Sequence, residues 1–203
     1  MLELKKIAVT GGIASGKTTV CRLLKKHGAY QVSADEIIHQ LLEANTKCKR
    51  DVVSLLGPDI LTDEQIDRKK VADLVFSDLE KLTQLENLLH PLLFEEIEKE
   101  YQKVKNGNHY ICFIVELPLV QEIGKEKAFD LILAVVCKTH LAKNRHLAAG
   151  FSATEYERRM KRQWDIEKKA EQADFIIVND GNLSHLETQI KEFIHTLTKE
   201  YPS

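Results

Sequence analysis

Cysteine chemistry, membrane insertion and wholesale nucleic-acid binding are all excluded by what this sequence lacks. Its four cysteines, Cys21, Cys48, Cys112 and Cys137, are scattered, with no C-x-x-C pair. That removes a zinc cluster and a thioredoxin-like redox motif, and it predicts reduced thiols. No apolar run nears the roughly 20 residues a bilayer requires, since residues 111–115 and 131–137 are the longest. Residues 1–6 carry charges and lead straight into a strand-like run, unlike a signal peptide, so a soluble, cytoplasmic protein without membrane association is expected. Charge of one sign is missing as well: 29 Lys+Arg against 31 Asp+Glu leave −2, which argues against a nucleic-acid binder but allows a local basic site. Only 4 prolines and 9 glycines occur in 203 residues that are 43% hydrophobic and 30% charged, which excludes fibrous and disordered classes. The length suits one sizeable core, or a core with a small inserted domain.

What is present is an alternation of short β-rich runs with longer helical ones, the order of an α/β protein with a parallel sheet. Strands are predicted at 7–10, 30–33, 110–115, 131–136 and 175–178, each apolar or β-branched and short enough to be buried on both faces. The last helix carries Leu183, Leu186, Ile190, Phe193, Ile194 and Leu197 at helical spacing, with Ser184 and Glu187 as a capping-box signature. Two inserts depart from the alternation. Between the second and third strands the chain reads as all-helical, with Leu79, Leu82, Leu85 and Leu88 in one stripe, and Pro91 is expected to break it at His90. Residues 138–169 hold nine Lys/Arg against four Asp/Glu, a local +5 that leaves −7 on the remainder.

Directly after the first strand stands GGIASGKTT, where Gly11, Gly16, Lys17 and Thr18 fit G-x-x-x-x-G-K-[ST], a P-loop. Glycines let the backbone wrap a polyphosphate, whose oxygens meet successive N–H groups and the positive end of the next helix. Lys17 offers a point charge to the β and γ phosphates, and Thr18 a hydroxyl to a magnesium ion. Asp35 lies just past the second strand, at the end of the sheet where ligands gather. It can take the proton of an attacking hydroxyl or merely cap the following helix. Arg158, Arg159, Lys161 and Arg162 crowd one helical segment that begins with the capping pair Ser152 and Glu155. Such a segment can fold over phosphates, form a solvated basic face, or bind RNA, although only Phe151, Tyr156 and Trp164 interleave it with aromatics.

In their order, these motifs resemble those of the dephospho-CoA kinase family over nearly the whole chain. GGIASGKTT resembles its GGIGSGKS/T loop, with Ala14 where glycine is usual, and Ser33-Ala34-Asp35-Glu36-Ile37 resembles its D-A-D-x-I, keeping the second aspartate. Asp67, Arg68, Val75 and Phe76 match its L-D-R-x-x-L-x-x-x-V-F, and His90-Pro91 its H-P. ELPLVQE is similar to D-x-P-L-L-x-E, with Glu116 in the aspartate place and Pro118, Leu119 and Glu122 kept. Arg159 and Gln163 match R-x-x-x-Q, Lys169 the lysine that follows, and Ala173, Asp174, Ile177, Asn179 and Gly181 match A-D-x-x-I-x-N-x-G. The family's R-x-x-x-R lid arginines fall on Asn144 and Ala148 here, with Arg145 displaced by one residue.

The resemblance implies a P-loop nucleoside triphosphate hydrolase fold: a five-stranded parallel sheet flanked by helices, in a single domain. Its core would be about 1–42, 108–137 and 172–203, with a helical acceptor insert at about 43–107 and a lid at about 138–171. It implies transfer of the ATP γ-phosphoryl group to the ribose 3′-hydroxyl of dephospho-CoA, with Mg2+ as cofactor and no nucleic-acid partner. ATP would be bound by Gly11, Gly12, Ile13, Ala14, Ser15, Gly16, Lys17, Thr18 and Thr19, and magnesium by Thr18. Asp35 would be the base and Arg159 the lid cation, with Arg145 an alternative. Arg68 and His90 would face the acceptor, His90 serving either as a ligand or as a structural element. Another small-molecule or nucleoside monophosphate kinase, or a nucleotide-dependent switch, are the competing readings, and oligomeric state is left open.

Overall fold

The alternating apolar and amphipathic runs fold as alternating strands and helices. In chain order they are β1 (Lys6–Gly11), α1 (Lys17–Lys26), β2 (Tyr30–Ser33), α2 (Ala34–Ala44), α3 (Thr46–Leu56), β3 (Leu61–Thr62), β4 (Gln65–Ile66), α4 (Arg68–Ser77), α5 (Leu79–Val104) and β5 (Phe113–Glu116). There follow β6 (Leu131–Val136), α6 (Thr139–Ala148), α7 (Ala153–Met160), α8 (Ile166–Glu171), β7 (Phe175–Val178) and α9 (Leu183–Glu200). The computed structural model describes residues 4–107 and 109–200. It divides into two compact units, Met1–Val32 with Tyr101–Ser203, and Ser33–Glu100.

The first unit is built on a five-stranded parallel sheet of order β2-β5-β1-β6-β7. β5 begins at Phe113, later than the predicted 110, because residues 110–112 run beside Gly28–Tyr30 before the strand meets β1 at the Lys6–Phe113 pair. Strand alternation sorts the side chains by face. Ile7, Val9, Ile114, Leu133 and Val135 join Val20 and Leu24 of α1 and Leu186, Ile190, Phe193 and Leu197 of α9 in the main core. Each such side chain contributes about 1.5–3 kcal/mol. The α9 stripe starts one turn later than expected, since Leu183 is exposed. Its cap also differs: Asn182 Oδ1 accepts the His185 amide, while Ser184 and Glu187 already lie inside the helix. At the sheet's edge the Gln189 amide brackets one residue of β7, accepting from Val178 N at 2.9 Å and donating to Val178 O at 2.8 Å.

The second unit is helical around a small hairpin, which corrects the all-helical expectation for this stretch. β3 and β4 pair antiparallel through a two-residue turn whose Asp63 and Glu64 have φ of 49° and 61°. Such a turn needs φ > 0 at both central residues, and each non-glycine residue there costs about 1–3 kcal/mol. Ser33, Asn45 and Asp67 cap α2, α3 and α4 through their side-chain oxygens. The amides of Lys70 and Lys69, with the Thr62 hydroxyl, hold the Asp67 carboxyl below its ordinary pKa.

The largest correction concerns α5, which runs unbroken through Pro91. Proline removes the N–H that would bond the Asn87 carbonyl, at a cost of about 3 kcal/mol. A buried stripe at Leu82, Leu85, Leu89, Leu93 and Ile97 crosses the position and sustains the helix. That stripe replaces the predicted one, because four leucines spaced by three drift about 60° per step around a helix, whereas spacings of three and four stay on one face. Leu79 is accordingly exposed. Among the described residues no helix is long and apolar enough to cross a membrane.

Candidate active site

The chain leaves β1 through a loop that glycine alone can build at two points. Gly11 has φ 143° and Gly16 φ 100°, and a Cβ on them would strike the Val135 carbonyl and the Asn179 side-chain amide respectively. Ala14, at φ 52°, takes a left-handed conformation without being glycine, a strain of about 1–2 kcal/mol. Its methyl is partly buried against the cluster of Ile13, Ala142 and Tyr156, contact that offsets part of that cost.

The loop's polar groups converge on the start of α1. No side chain caps that helix and no acidic residue lies in its first turn, so its leading N–H groups and dipole are presented to an anion. Lys17 is nearly buried, and its Nζ donates to the carbonyls of Gly11 at 3.0 Å and Gly12 at 2.7 Å, which centres the ammonium on the loop. Thr19 N donates to Gly16 O at 3.0 Å and fixes the first turn. Thr18 Oγ1 donates to Glu116 Oε1 at 2.7 Å, at the carboxyl end of β5. This hydroxyl and carboxylate fit magnesium, which takes few protein oxygens and completes its shell with water and phosphate. Among the described residues no group of three or more His, Cys, Asp or Glu could hold a metal by itself.

Asn179, just past β7, supports the loop from beneath, its Nδ2 donating to Ser15 O at 2.7 Å. Arg145 of α6 donates from Nη2 to Asn179 O at 2.9 Å, while its Nη1 is buried without a hydrogen-bond partner among the described residues. A cleft of about 810 Å³ opens at the carboxyl ends of β6 and β7, with Val136 and Val178 in its wall and Lys138 and Lys143 at its edge. It is large enough for a nucleoside.

The basic segment seats on the loop itself, since Ile13 packs with Ala142 of α6 and Tyr156 of α7. Ser152 caps α7 by accepting the Glu155 amide, as expected, but the helix ends at Met160, which places Lys161 and Arg162 beyond it. Arg159 bonds Glu155 at 2.6 Å, lies 5.6 Å from the Phe151 ring centre and is about half exposed. Behind the loop lies Lys169, fully enclosed at 0% exposure. Its Nζ donates to Pro118 O at 2.6 Å, Glu122 at 2.8 Å and Thr10 Oγ1 at 3.4 Å, and Glu122 also accepts Trp164 N at 2.8 Å. Burial pushes the Lys169 pKa down, against the upward pull of Glu122. All four cysteines are free, and burial raises each thiol's pKa, which keeps them unreactive.

The remaining predicted residues belong to the Ser33–Glu100 unit. Asp35 is exposed in the first turn of α2, where Ser33 Oγ already accepts the Glu36 amide. The cap reading of Asp35 is therefore taken over by Ser33. Arg68 opens α4, and His90 sits inside continuous α5 rather than at a break.

A family model for dephospho-CoA kinase matches residues 5–185 of this chain. The chain belongs to the dephospho-CoA kinase family. The dephospho-CoA kinase of Protochlamydia amoebophila is 42% identical over 199 residues, 97% of this chain and 98% of that protein. That of Aquifex aeolicus is 38% identical, over 97% of this chain and 100% of that protein. Among solved structures, the dephospho-CoA kinase from Campylobacter jejuni superposes with a TM-score of 0.64 at 27% identity, covering 96% of this chain and 98% of that one. A shikimate kinase from Acinetobacter baumannii, at TM-score 0.51 and 10% identity over 98% and 96% of the two chains, shares the fold alone. Against the dephospho-CoA kinase motifs, Asn179, Glu122 and Lys169 are readable as matched letters and Glu116 as a glutamate in the aspartate place. Their tasks of bonding Thr18, propping Ser15 and filling a buried ion pair required the folded chain.

Proposed function

We propose that the protein transfers the γ-phosphoryl group of ATP to the ribose 3′-hydroxyl of dephospho-CoA, giving coenzyme A and ADP. The observation that carries this reading is the phosphate cradle, with Lys17 centred by two loop carbonyls at an uncapped helix start, in a chain of this family. In our reading the loop from Gly11 to Thr19 holds the ATP phosphates, and Lys17 neutralises charge as it spreads over the transferred group. Thr18 and Glu116 would hold magnesium, which would supply positive charge to offset that of the phosphates. Asp35 accepts the proton of the attacking hydroxyl, and the Ser33–Glu100 unit receives the acceptor. His90, inside its helix, serves there as a structural element.

The clamping cation is better assigned to Arg145 than to Arg159. Arg145 Nη1 is a buried donor without an acceptor among the described residues, beside the prop of the loop, and a phosphate or ribose oxygen would satisfy it. Arg159 is already engaged by Glu155 in solvent. Arg145→Ala is expected to lower kcat/KM for ATP by about tenfold to a hundredfold, the scale of a lost charged hydrogen bond, and Arg159→Ala by less than threefold. Steady-state kinetics with ATP varied check this, and the reverse ranking returns the clamp to Arg159.

The reaction itself is tested by ADP release in a coupled assay across dephospho-CoA, nucleosides and nucleoside monophosphates. Release that depends on dephospho-CoA is expected. Preference for a nucleoside monophosphate would make the protein a different kinase, and slow release indifferent to any acceptor would make it a switch.

A further inference from the structure

The phosphate chemistry above makes no use of the buried pair Lys169 and Glu122. The ammonium has three N–H donors and three acceptors: the Pro118 carbonyl at 2.6 Å, the Glu122 carboxylate at 2.8 and 2.9 Å, and Thr10 Oγ1 at 3.4 Å. None is left for a nucleotide. We propose that Lys169 and Glu122 are positioning residues for Glu116, fixing the backbone that carries this carboxylate and thereby setting the affinity for magnesium. The proposal rests on the reading that Thr18 and Glu116 would hold the metal, and it names what holds Glu116.

Glu116 stands where β5 runs out. Its partner Val9 is the last in the β1–β5 register, and the bond from Leu117 N to Val9 O at 3.0 Å follows it. The next residue, Pro118, has no N–H, so its carbonyl is the one backbone hydrogen-bonding group it offers. Two donors meet there: Thr10 Oγ1 at 2.9 Å, from near the end of β1, and Lys169 Nζ at 2.6 Å, from α8. Thr10 and Lys169 are both fully buried. Beyond Pro118 the chain turns, with Ile123 N donating to Leu119 O at 3.1 Å, and Glu122 comes back to the same ammonium. Gln121 closes the loop from the other side, its Nε2 donating to Lys169 O at 3.0 Å. The segment from Pro118 to Glu122 is thus tied at both ends to one lysine, two residues from the metal carboxylate.

The chemistry suits placement better than bulk. An apolar pair of similar size would hold the same elements together about as well, but an ammonium fixes particular oxygens, and charge-assisted bonds are short and strong in a buried setting. At the far end of the Glu116 side chain, Oε1 accepts from Thr18 Oγ1 at 2.7 Å, so a shift of the 116–118 backbone reaches that hydroxyl as well. Metal ligands depend on such outer partners for their orientation. Helix α8 adds a link, because Ile166 and Ala170 stand in the wall of the cleft of about 810 Å³ while Lys169 grips Pro118. The nucleotide cleft and the metal carboxylate are thus referred to one helix.

The test is calorimetric titration with a non-hydrolysable ATP analogue, once with magnesium and once with EDTA, so that binding is read without turnover. Wild type is compared with Glu116→Gln, with Thr10→Val, and with the double variant Glu122→Leu and Lys169→Met, which removes both charges together. The affinity gained from magnesium is expected to fall about tenfold or more in the double variant, the scale for losing a group that orients a metal ligand. In Thr10→Val it should fall about fivefold, the scale of one neutral hydrogen bond. Affinity in EDTA should stay within about threefold of wild type in both. Equal losses with and without magnesium would make the pair a brace of the phosphate loop, and an unchanged magnesium gain would make it structural; either result overturns the proposal. Thr10→Val leaves both charges in place and decides the matter if the double variant does not fold. Failure of the underlying reading shows separately: a wild type without a magnesium gain, or Glu116→Gln with the gain intact, removes the metal from these residues and the proposal with it.

Discussion

Asp35→Asn is expected to lower turnover by about a hundredfold or more, the usual scale for a positioned base, while KM for ATP stays within a few-fold of the wild type. The substitution isolates chemistry from folding. Ser33 supplies the side-chain cap of α2 through the Glu36 amide, so Asp35 is not needed for that bond. The residue is exposed in the first turn, where asparagine adds no bulk and loses only a modest interaction with the helix dipole, about 0.3–1 kcal/mol. A fall in kcat at unchanged melting temperature is therefore the signature of a base. Near-normal kcat would return Asp35 to an ordinary first-turn carboxylate, and a matching fall in melting temperature would make its role structural.

Glu122→Ala is expected to have the largest effect on stability. It leaves the Lys169 ammonium at 0% exposure without its counter-charge, and breaking a buried pair from one side costs about 3–5 kcal/mol. For a chain of this length that is a fall of roughly 10 °C in melting temperature. Trp164 N loses its acceptor as well. The double variant Glu122→Leu with Lys169→Met should recover most of the loss, because replacing both charges with apolar groups of similar size is often close to neutral. Urea unfolding of the wild type, both singles and the double measures the coupling. Singles that cost under about 1 kcal/mol, the ordinary worth of a surface pair, would show that the charges are not held as a desolvated pair. Kinetics of the double variant carry a second result: a folded enzyme with weakened ATP binding would assign the pair to holding Thr10 and Pro118 behind the loop.

Much of this was written locally in the chain. Strands 30–33, 131–136 and 175–178 coincide with β2, β6 and β7, because short apolar and β-branched runs bounded by turn residues leave few other options, although of the three only β6 has the two-sided burial expected of all of them. The phosphate loop was legible for the same reason, since its glycines and lysine act within nine consecutive residues. Pro91 was misread because local stereochemistry argues for a break, whereas the buried leucine stripe on either side of it is a tertiary fact. The α9 cap was misread because Ser184 with Glu187 satisfies the capping spacing as well as Asn182 does, and only the true helix start separates them. The hairpin was missed because Asp63 and Glu64 occupy conformations that favour glycine, so the usual turn signal is absent. Among site residues, the sequence leaves Arg145 as the alternative to Arg159, because it stands one position from the family's arginine. Its reach to Asn179 depends on how α6 lies over the loop, which spacing alone does not reveal.

The bracket that Gln189 places on Val178 bears on behaviour far from the nucleotide. β7 is a terminal strand, and its Ile176 and Val178 side chains are exposed. A bare edge of that kind is a template on which another extended chain can add itself. With both the N–H and the carbonyl of Val178 already taken by one side chain, an incoming strand finds its rung filled. The same glutamine that ties α9 to the sheet therefore closes this rung of the edge to an added strand.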